Sequence, residues 1–399
     1  MPFSVSTLPG GMSADEFLRD YWQKKPLLIR QAFPDFDSPL SADELAGLSL
    51  EEEVESRIVL EHGATPWELR RGPFNEQDYS SLPERDWTLL VQAVDQFIPE
   101  AAELLRDFRF LPSWRVDDLM ISYAAPGGSV GPHFDNYDVF LLQTHGHRRW
   151  KIGQMCDADS PLLTHPDLRI LADFDQQEEW VLEPGDMLYI PPRLAHYGIA
   201  EDECMTWSVG FRAPSHVEVL THFTDFLTQY LGDEQRYSDA GLSRPADPAQ
   251  IDEQTVERLQ QLILASVQDR EALGTWFGRF MTEPRYPELI QAQETDPELL
   301  SQALDHGYGL VHNPSARLAW RQEQDQYLML FASGDHCVLP VHLLPLVQLV
   351  CNQDYLAAEV LQPWRSDADA MQLLEQLLSK GDLLFENDEE ADEEESNDE

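Results

Sequence analysis

Cysteine is scarce and scattered: 4 in 399 residues, Cys156, Cys204, Cys337 and Cys351, with no Cys-x-x-Cys pair. That sets aside a disulfide framework and a cysteine-built zinc site. No run approaches the roughly 20 apolar residues that span a bilayer. Met1–Gly11 has neither the basic start nor the apolar stretch of a secretory leader. A soluble cytoplasmic protein without membrane contact is expected. Neither a P-loop nor a Gly-x-Gly-x-x-Gly fingerprint is present, and the Ser-His-Asp order of a hydrolase is missing too. The largest deficit is positive charge: 27 Lys and Arg face 73 Asp and Glu, for a net charge of -46. Such a field repels nucleic acid and attracts basic polypeptides, although a high-salt or thermal habitat selects the same acidity. Ten of the negative charges lie in 386–399, and discounting them still leaves 36. That segment has almost no apolar residue and is expected to be a disordered acidic tail.

What is present centres on Gly131-Pro132-His133-Phe134-Asp135, answered downstream by Glu183-Pro184-Gly185-Asp186 and by Pro191-Pro192-Arg193-Leu194-Ala195-His196. On a β-strand alternate residues share a face, so His133 and Asp135 can present an imidazole and a carboxylate side by side. His196, arriving from a separate strand, completes a two-histidine, one-carboxylate triangle. That donor set leaves positions open for a co-substrate and O₂, the pattern of non-haem Fe(II) oxygenases. A lone His-x-Asp is common on surfaces; here the context separates it. Asp117–Tyr123, Val139–Leu142, Val181–Leu182, Met187–Ile190 and Thr206–Phe211 read as short strands punctuated by Gly and Pro. Ligands on two of them suit a double-sheet jelly roll of the cupin type. His165-x-Asp167 and His216-x-Glu218 share the spacing without the strand context, and with His62, His145 and His147 they read as surface or structural histidines.

A dicarboxylate co-substrate requires a cation inside the barrel. Gly146-His147-Arg148-Arg149-Trp150-Lys151 supplies candidates, and strand parity allows either Arg148 with Trp150 or Arg149 with Lys151 on the inner face. A guanidinium fork matches a carboxylate with two parallel hydrogen bonds. Together, His133-x-Asp135, Arg148, the Glu183–Asp186 turn, Ile190-Pro191-Pro192, His196, the strand Ser208–Arg212 and the opening Phe17–Arg30 resemble the Jumonji-C 2-oxoglutarate oxygenases. More narrowly, they resemble the ribosomal oxygenases and the bacterial subgroup that hydroxylates an arginine of a large-subunit ribosomal protein. The resemblance implies that His133, Asp135 and His196 hold Fe(II). It also implies that Arg148, assisted by Ser122, takes the C5 carboxylate of 2-oxoglutarate. O₂ is then consumed, succinate and CO₂ are released, and the substrate is a basic ribosomal protein, the one numbered sixteen, hydroxylated at the 3-position of an arginine.

The strand through Ser122 bears on that substrate. Asp118, Met120 and Ser122 alternate, so all three can look into the barrel, with Asp118 and Met120 nearer its mouth. A carboxylate beside a thioether suits a guanidinium on an aliphatic stem, with Tyr137 packing the stem and Ser208 adding a hydrogen bond. The alternative is that Asp118 caps a strand end in water and Tyr137 is ordinary core; the resemblance favours the arginine pocket. The same chemistry on a histidyl or lysyl residue, including histone-type demethylation, stays open, as does a catalytically silent cupin that only binds a partner.

The expected organisation is α+β: a double-stranded β-helix oxygenase domain over 1–214, a helical region over 215–281, a winged-helix-like domain over 282–385, and the tail. Ser215–Gly232 places Val219, Leu220, Phe223, Phe226 and Leu227 at helical spacing, and Glu253–Asp269 places Val256, Leu259, Leu262 and Ile263 on one face. The resemblance implies that this region forms a homodimer. After the breaker Thr282–Pro287 come a helix near Pro297–Asp305, strands near Leu318–Trp320 and Tyr327–Phe331, and helices near Leu343–Leu349, Asp354–Leu361 and Asp369–Lys380. This winged-helix pattern lacks a basic face, which favours a protein-contact or structural role over DNA. Near the start, Ser13-x-x-Glu16 is a capping-box signature for a helix over Ala14–Trp22.

Overall fold

Period-two burial builds the site-bearing half of the molecule. Its strands are β1 (Leu27–Ile29), β2 (Ser56–Glu61), β3 (Trp67–Arg71), β4 (Trp87–Val91), β5 (Val116–Ala124), β6 (Val139–His145), β7 (Arg148–Met155), β8 (Glu178–Leu182), β9 (Met187–Ile190), β10 (Leu194–Ala200) and β11 (Cys204–Phe211). They form an eight-stranded sheet, β1-β9-β6-β11-β5-β4-β2-β3, and a three-stranded sheet, β10-β7-β8, with every pair antiparallel. The computed structural model describes residues 4–61, 67–232, 234, 236–324 and 326–386, and divides into two units, Met1–Ala213 and Pro214–Glu399.

The large sheet is covered on both faces. On β6, Phe140 and Leu142 join an aromatic core with Phe17, Phe108, Tyr189 and Phe211, whereas Val139 and Leu141 join Trp150, Ile152, Leu182, Leu188, Ile190 and Leu194 in the layer between the two sheets. Double burial explains why β9 and β11 have no exposed position along their length, unlike a half-solvated strand. Each large apolar side chain taken from water in these layers contributes about 1.5–3 kcal/mol. The Glu183–Asp186 turn is pinned from the first sheet edge. Gly185 has φ 91°, and a Cβ there would lie 2.6 Å from the Phe33 carbonyl oxygen. Asp186 is fully buried and accepts hydrogen bonds from the Gln31 and Glu183 backbone N–H groups, at 2.9 and 3.1 Å, and from the Arg30 guanidinium.

The N-terminal helix runs Ala14–Asp20, two residues shorter than expected, and Ser13 makes no side-chain cap. The reason is local: Ser13 bridges Thr7, and the Ala14 N–H donates to the Ser6 carbonyl at 2.9 Å. Complete capping boxes occur instead at Ser41 with Glu44, Asn75 with Asp78 and Ser215 with Glu218.

The second unit contains the sheets β16-β12-β17 and β13-β14-β15, made of β12 (Leu310–His312), β13 (Leu318–Glu323), β14 (Tyr327–Ala332), β15 (Asp335–Pro340), β16 (Tyr355–Leu356) and β17 (Leu383–Phe385). A leucine-rich core joins them to the helices Pro297–His306, Leu344–Asn352 and Ala368–Lys380. The helix expected over Asp354–Leu361 is instead a strand and a short helix. Leu356 pairs with Leu310, and only Ala358–Leu361 is helical. A further helix, Arg270–Thr282, packs on β13, β14 and β15 and meets the helix His216–Thr228 through Trp276 and Phe223. The helix Glu253–Val267 has no buried residue, and Val256, Leu259, Leu262 and Ile263 are all exposed. All but the first residue of the acidic tail, and His62, lie outside the described residues.

Candidate metal and co-substrate site

The three candidate ligands converge. His133, Asp135 and His196 each offer a donor atom, and all three atoms lie within 4.8 Å of one another. Asp135 Oδ2 is 3.5 Å from His196 Nε2 and 3.9 Å from His133 Nε2, and the two imidazole centroids are 4.2 Å apart. His196 is on β10 as expected, but His133 is not on a regular strand. It forms an isolated bridge with His196, in which each backbone N–H donates to the other's carbonyl at 3.0 and 2.9 Å. The extended local backbone still turns His133 and Asp135 to the same side.

The tautomers follow from the neighbours. His133 Nδ1 lies 2.9 Å from the Gly131 carbonyl, and His196 Nδ1 lies 2.9 Å from the Leu194 carbonyl. A carbonyl only accepts, so each Nδ1 carries the proton and each Nε2 lone pair faces Asp135, as metal-binding histidines require. Burial, reinforced by the neighbouring His133, pushes His196 down to about 4 against the opposing pull of Asp135, so the imidazole is neutral and able to ligate at pH 7. Behind the ligands, fully buried Asp138 accepts from Tyr189 Oη at 2.7 Å, Gln23 Nε2 at 2.9 Å and Arg115 Nη2 at 3.3 Å. This network anchors the chain three residues after Asp135.

Strand parity is resolved in favour of Arg148 with Trp150, which are 3 % and 5 % exposed. Arg149 points out and pairs with Glu179 and Glu201, and Lys151 lies over the Tyr197 ring. Arg148 Nη1 reaches Ser122 Oγ at 3.4 Å, while its Nε is buried without an acceptor, and no carboxylate among the described residues is within ion-pair distance. Burial lowers the Arg148 pKa, but a guanidinium remains charged at pH 7. Trp150 Nε1 is a second buried donor without a partner. The indole stands between the two halves of the site, 5.2 Å from the Arg148 guanidinium and 6.0 Å from the His196 ring. A buried cation and unmet donors beside a two-histidine, one-carboxylate triangle fit a metal-chelating dicarboxylate.

On the strand that carries Ser122, the residues Asp118, Met120 and Ser122 share one face of β5, opposite Leu119 and Ile121 in the aromatic core. Ser208 on β11 registers with Met120, and Thr206 registers with Ser122. Asp118 is 3 % exposed, so it is no strand cap in water; its Oδ2 accepts from Gln92 Nε2 at 2.6 Å and the Ala93 N–H at 3.0 Å. Tyr137 is 43 % exposed, yet its phenol is held up first by desolvation and then by the negative charge of Asp135, with Arg57 opposing. Arg57 Nη2 is 3.7 Å from Met120 Sδ. His165 and His147 are structural: His165 Nδ1 accepts from the Asp167 and Leu168 N–H groups, and His147 pairs with Asp202.

Arg57, Gln92 and Gly198 were not singled out in the sequence. Arg57 carried a signal, as a charged residue in the apolar run Ser56–Leu60 with the parity of Val59, which packs with Met120. Gly198 carried another. Inside the strand Leu194–Ala200, a glycine marks a close approach, and a Cβ there would lie 2.8 Å from both Arg148 Nε and the Trp150 ring.

Residues 103–219 match the JmjC domain family, and residues 264–383 match the ROXA-like winged helix. The chain is 38% identical over 93% of its length to the Escherichia coli (strain K12) ribosomal protein uL16 3-hydroxylase, covering 97% of that protein. It belongs to the JmjC ribosomal oxygenases. A probable ribosomal oxygenase of Haemophilus influenzae is 35% identical, with 82% of this chain and 83% of that protein matched. The Escherichia coli ribosomal oxygenase YcfD, solved in complex with cobalt and 2-oxoglutarate, superposes with a TM-score of 0.83 at 36% identity, covering 94% of this chain and 98% of that one. The fold of this ribosomal oxygenase is therefore the cupin-type JmjC double sheet followed by a winged helix. Its JmjC match contains the whole triad, Arg148, Asp118 and Ser208, whereas Arg57 and Gln92 lie before it.

Proposed function

We propose that this chain is an Fe(II)- and 2-oxoglutarate-dependent hydroxylase acting at the 3-position of an arginine side chain in the large-subunit ribosomal protein uL16. The observation that carries the reading is the pairing of the convergent His133, Asp135 and His196 with a buried, carboxylate-free Arg148. Bound iron, 2-oxoglutarate and O₂ supply the oxidising chemistry, which inserts one oxygen atom into a C–H bond and releases succinate and CO₂.

The residues supply placement. His133 and His196 would hold the metal through Nε2, and Asp135 through a carboxylate oxygen. Arg148, with Ser122 and the Trp150 N–H, holds the distal carboxylate of the co-substrate. Asp118, pre-aimed by Gln92 and the Ala93 N–H, receives the substrate guanidinium, while Met120 and Tyr137 flank the aliphatic stem and Ser208 donates a hydrogen bond. An anchored carboxylate favours a guanidinium over an imidazole because its two oxygens match two parallel donors. The net charge of -46 favours a basic protein over nucleic acid. A ribosomal protein substrate supports a cytoplasmic reaction.

The helical region over 215–281 is read as a homodimer contact. Its support is the exposed apolar face of Glu253–Val267, which a second copy would cover. The winged-helix-like region over 282–385 is read as a protein-contact or structural domain.

The test is intact-mass spectrometry of unmodified uL16 incubated with the enzyme, Fe(II) and 2-oxoglutarate. A gain of about 16 Da, one oxygen atom, mapped to an arginine supports the reading. Consumption of 2-oxoglutarate with the added mass on a histidine or lysine discards the arginine assignment, and no consumption with any basic ribosomal protein discards the hydroxylase.

A further inference from the structure

The sheet face that carries Met120 and Ser122 continues beyond β5. Ser122 registers with Leu90 on β4, and Leu90 registers with Arg57 on β2, so the three side chains stand on one face. Val59, Leu90 and Met120 form the apolar cluster of that face. β2 lies two strands from β5, about 10 Å away. Arg57 nevertheless crosses β4 and brings Nη2 to 3.7 Å from Met120 Sδ. A thioether is a weak acceptor, so this contact leaves the guanidinium its strong donors. The chain has 73 acidic and 27 basic residues, and on the adjacent strand β3 both arginines have carboxylates: Arg70 pairs with Glu68 at 2.7 Å, and Arg71 with Asp167 at 3.8 Å. Arg57, directly opposite Arg71, makes no ion pair among the described residues and is half-buried, turned toward Met120.

Hydroxylation at the 3-position sets where the substrate main chain must lie. That carbon is bonded to Cα, so the carbonyl of the target residue is only two bonds from the reacting atom. With the guanidinium on Asp118 and the stem over Met120, the carbonyl falls at the end of the stem away from Asp118. Arg57 stands at that end, since its register through Leu90 leads to Ser122 and not to Asp118. We propose that Arg57 is a specificity-determining residue that donates to the main-chain carbonyl of the target arginine. The inference rests on the arginine 3-hydroxylase reading. Asp118 holds the cationic end of the target residue and Arg57 the electronegative end. Two fixed points of opposite charge set both the direction of the stem and the C–H bond presented to the metal.

Three uL16 peptides and the full-length enzyme test it. The first carries the target arginine internally and is the substrate. The other two end at that arginine, one as a free carboxylate and one as a carboxamide, and are measured as competitors of the first. They differ only in the group that meets Arg57. A guanidinium holds a carboxylate through parallel charge-assisted bonds that an amide carbonyl cannot match, so the wild type should bind the carboxylate peptide about tenfold more tightly. Arg57→Met keeps the aliphatic stem and removes the fork. It should abolish that preference and raise KM for the internal peptide about tenfold, with kcat, 2-oxoglutarate affinity and the circular-dichroism melt unchanged. Arg57→Lys, a point charge without the fork, should keep part of the preference. An arginine that only packs on Met120 would shift both competitors alike. Equal inhibition by the two competitors in the wild type, no competition by either, or an unaltered ratio in Arg57→Met overturns the inference alone. No hydroxylation of the internal peptide by the wild type overturns the arginine reading and the inference with it.

Discussion

Replacing Gly198 with alanine tests the co-substrate pocket without altering a ligand, a charge or a hydrogen-bond donor. The new methyl would stand 2.8 Å from Arg148 Nε and 2.8 Å from the outer carbons of the Trp150 ring. Ordinary contact begins near 3.4 Å, so each neighbour must retreat by about 0.6 Å. Neither has free room, since Arg148 packs over Trp150 and Trp150 lies beside His196. Overpacking of this kind costs about 1–3 kcal/mol. If that cost falls on the position of Arg148, 2-oxoglutarate affinity drops about 5- to 150-fold, at roughly 1.4 kcal/mol per decade. The assay is calorimetric titration of 2-oxoglutarate into the Mn(II)-loaded enzyme without O₂, alongside a Mn(II) titration that should be unchanged. Trp150→Phe removes the ring carbons that meet the methyl, so the double variant should lose less than the sum of the single losses. Wild-type 2-oxoglutarate affinity in Gly198→Ala would refute the reasoning, because the strain would then lie elsewhere than in the pocket.

Three further outcomes are expected. His133→Ala should abolish the absorbance of bound Co(II) while the far-ultraviolet circular dichroism stays native, because the bridge to His196 is made by backbone atoms. Asp118→Asn keeps an oxygen for the Gln92 and Ala93 donors but removes the charge. It should raise KM for the uL16 substrate by about 10- to 150-fold, the worth of a hydrogen bond to a charged group, with 2-oxoglutarate affinity intact. Asp118→Ala should in addition lower the unfolding midpoint, since the Ala93 N–H is left buried without a partner. Tyr189→Phe deletes a donor to fully buried Asp138 and should cost about 1–3 kcal/mol, read as a lower urea midpoint at an unchanged slope.

The metal triangle was legible because its information is local: two residues two apart on an extended chain, and a third brought by a Gly/Pro turn and a strand. Arg148 was legible only as one of two parities. The choice depends on Glu179 and Glu201 lying opposite Arg149, which is contact information from β8 and from the residue after β10 that no short window contains. The Ser13 capping signature misled because a neighbouring segment took the backbone it needed: Ser6 accepts from Ala14 and Thr7 bridges Ser13. Similarly, the apolar stretch after Asp354 has helical composition, but pairing with Leu310 claims Leu356 for a sheet. Alternation alone put Asp118, Met120 and Ser122 on one face of their strand, as the structure has them. Arg57 and Gln92 were not singled out, since their approach to Met120 and Asp118 spans long stretches of chain.

β10 bears on how this site can evolve. It holds His196, which is tied to His133 by paired backbone hydrogen bonds, and two positions later Gly198, which makes room for Arg148. Insertion or deletion of one residue between them would turn one of the two to the opposite face, so His196 and Gly198 could no longer serve the same side of the barrel. Lineages can therefore reshape the rim by substitution and by changing the lengths of outlying loops, but the interval from His196 to Gly198 acts as a reading frame. On the proposed assignment, an engineer seeking a new substrate would vary Asp118, Met120 and Tyr137 and leave the length of β10 untouched.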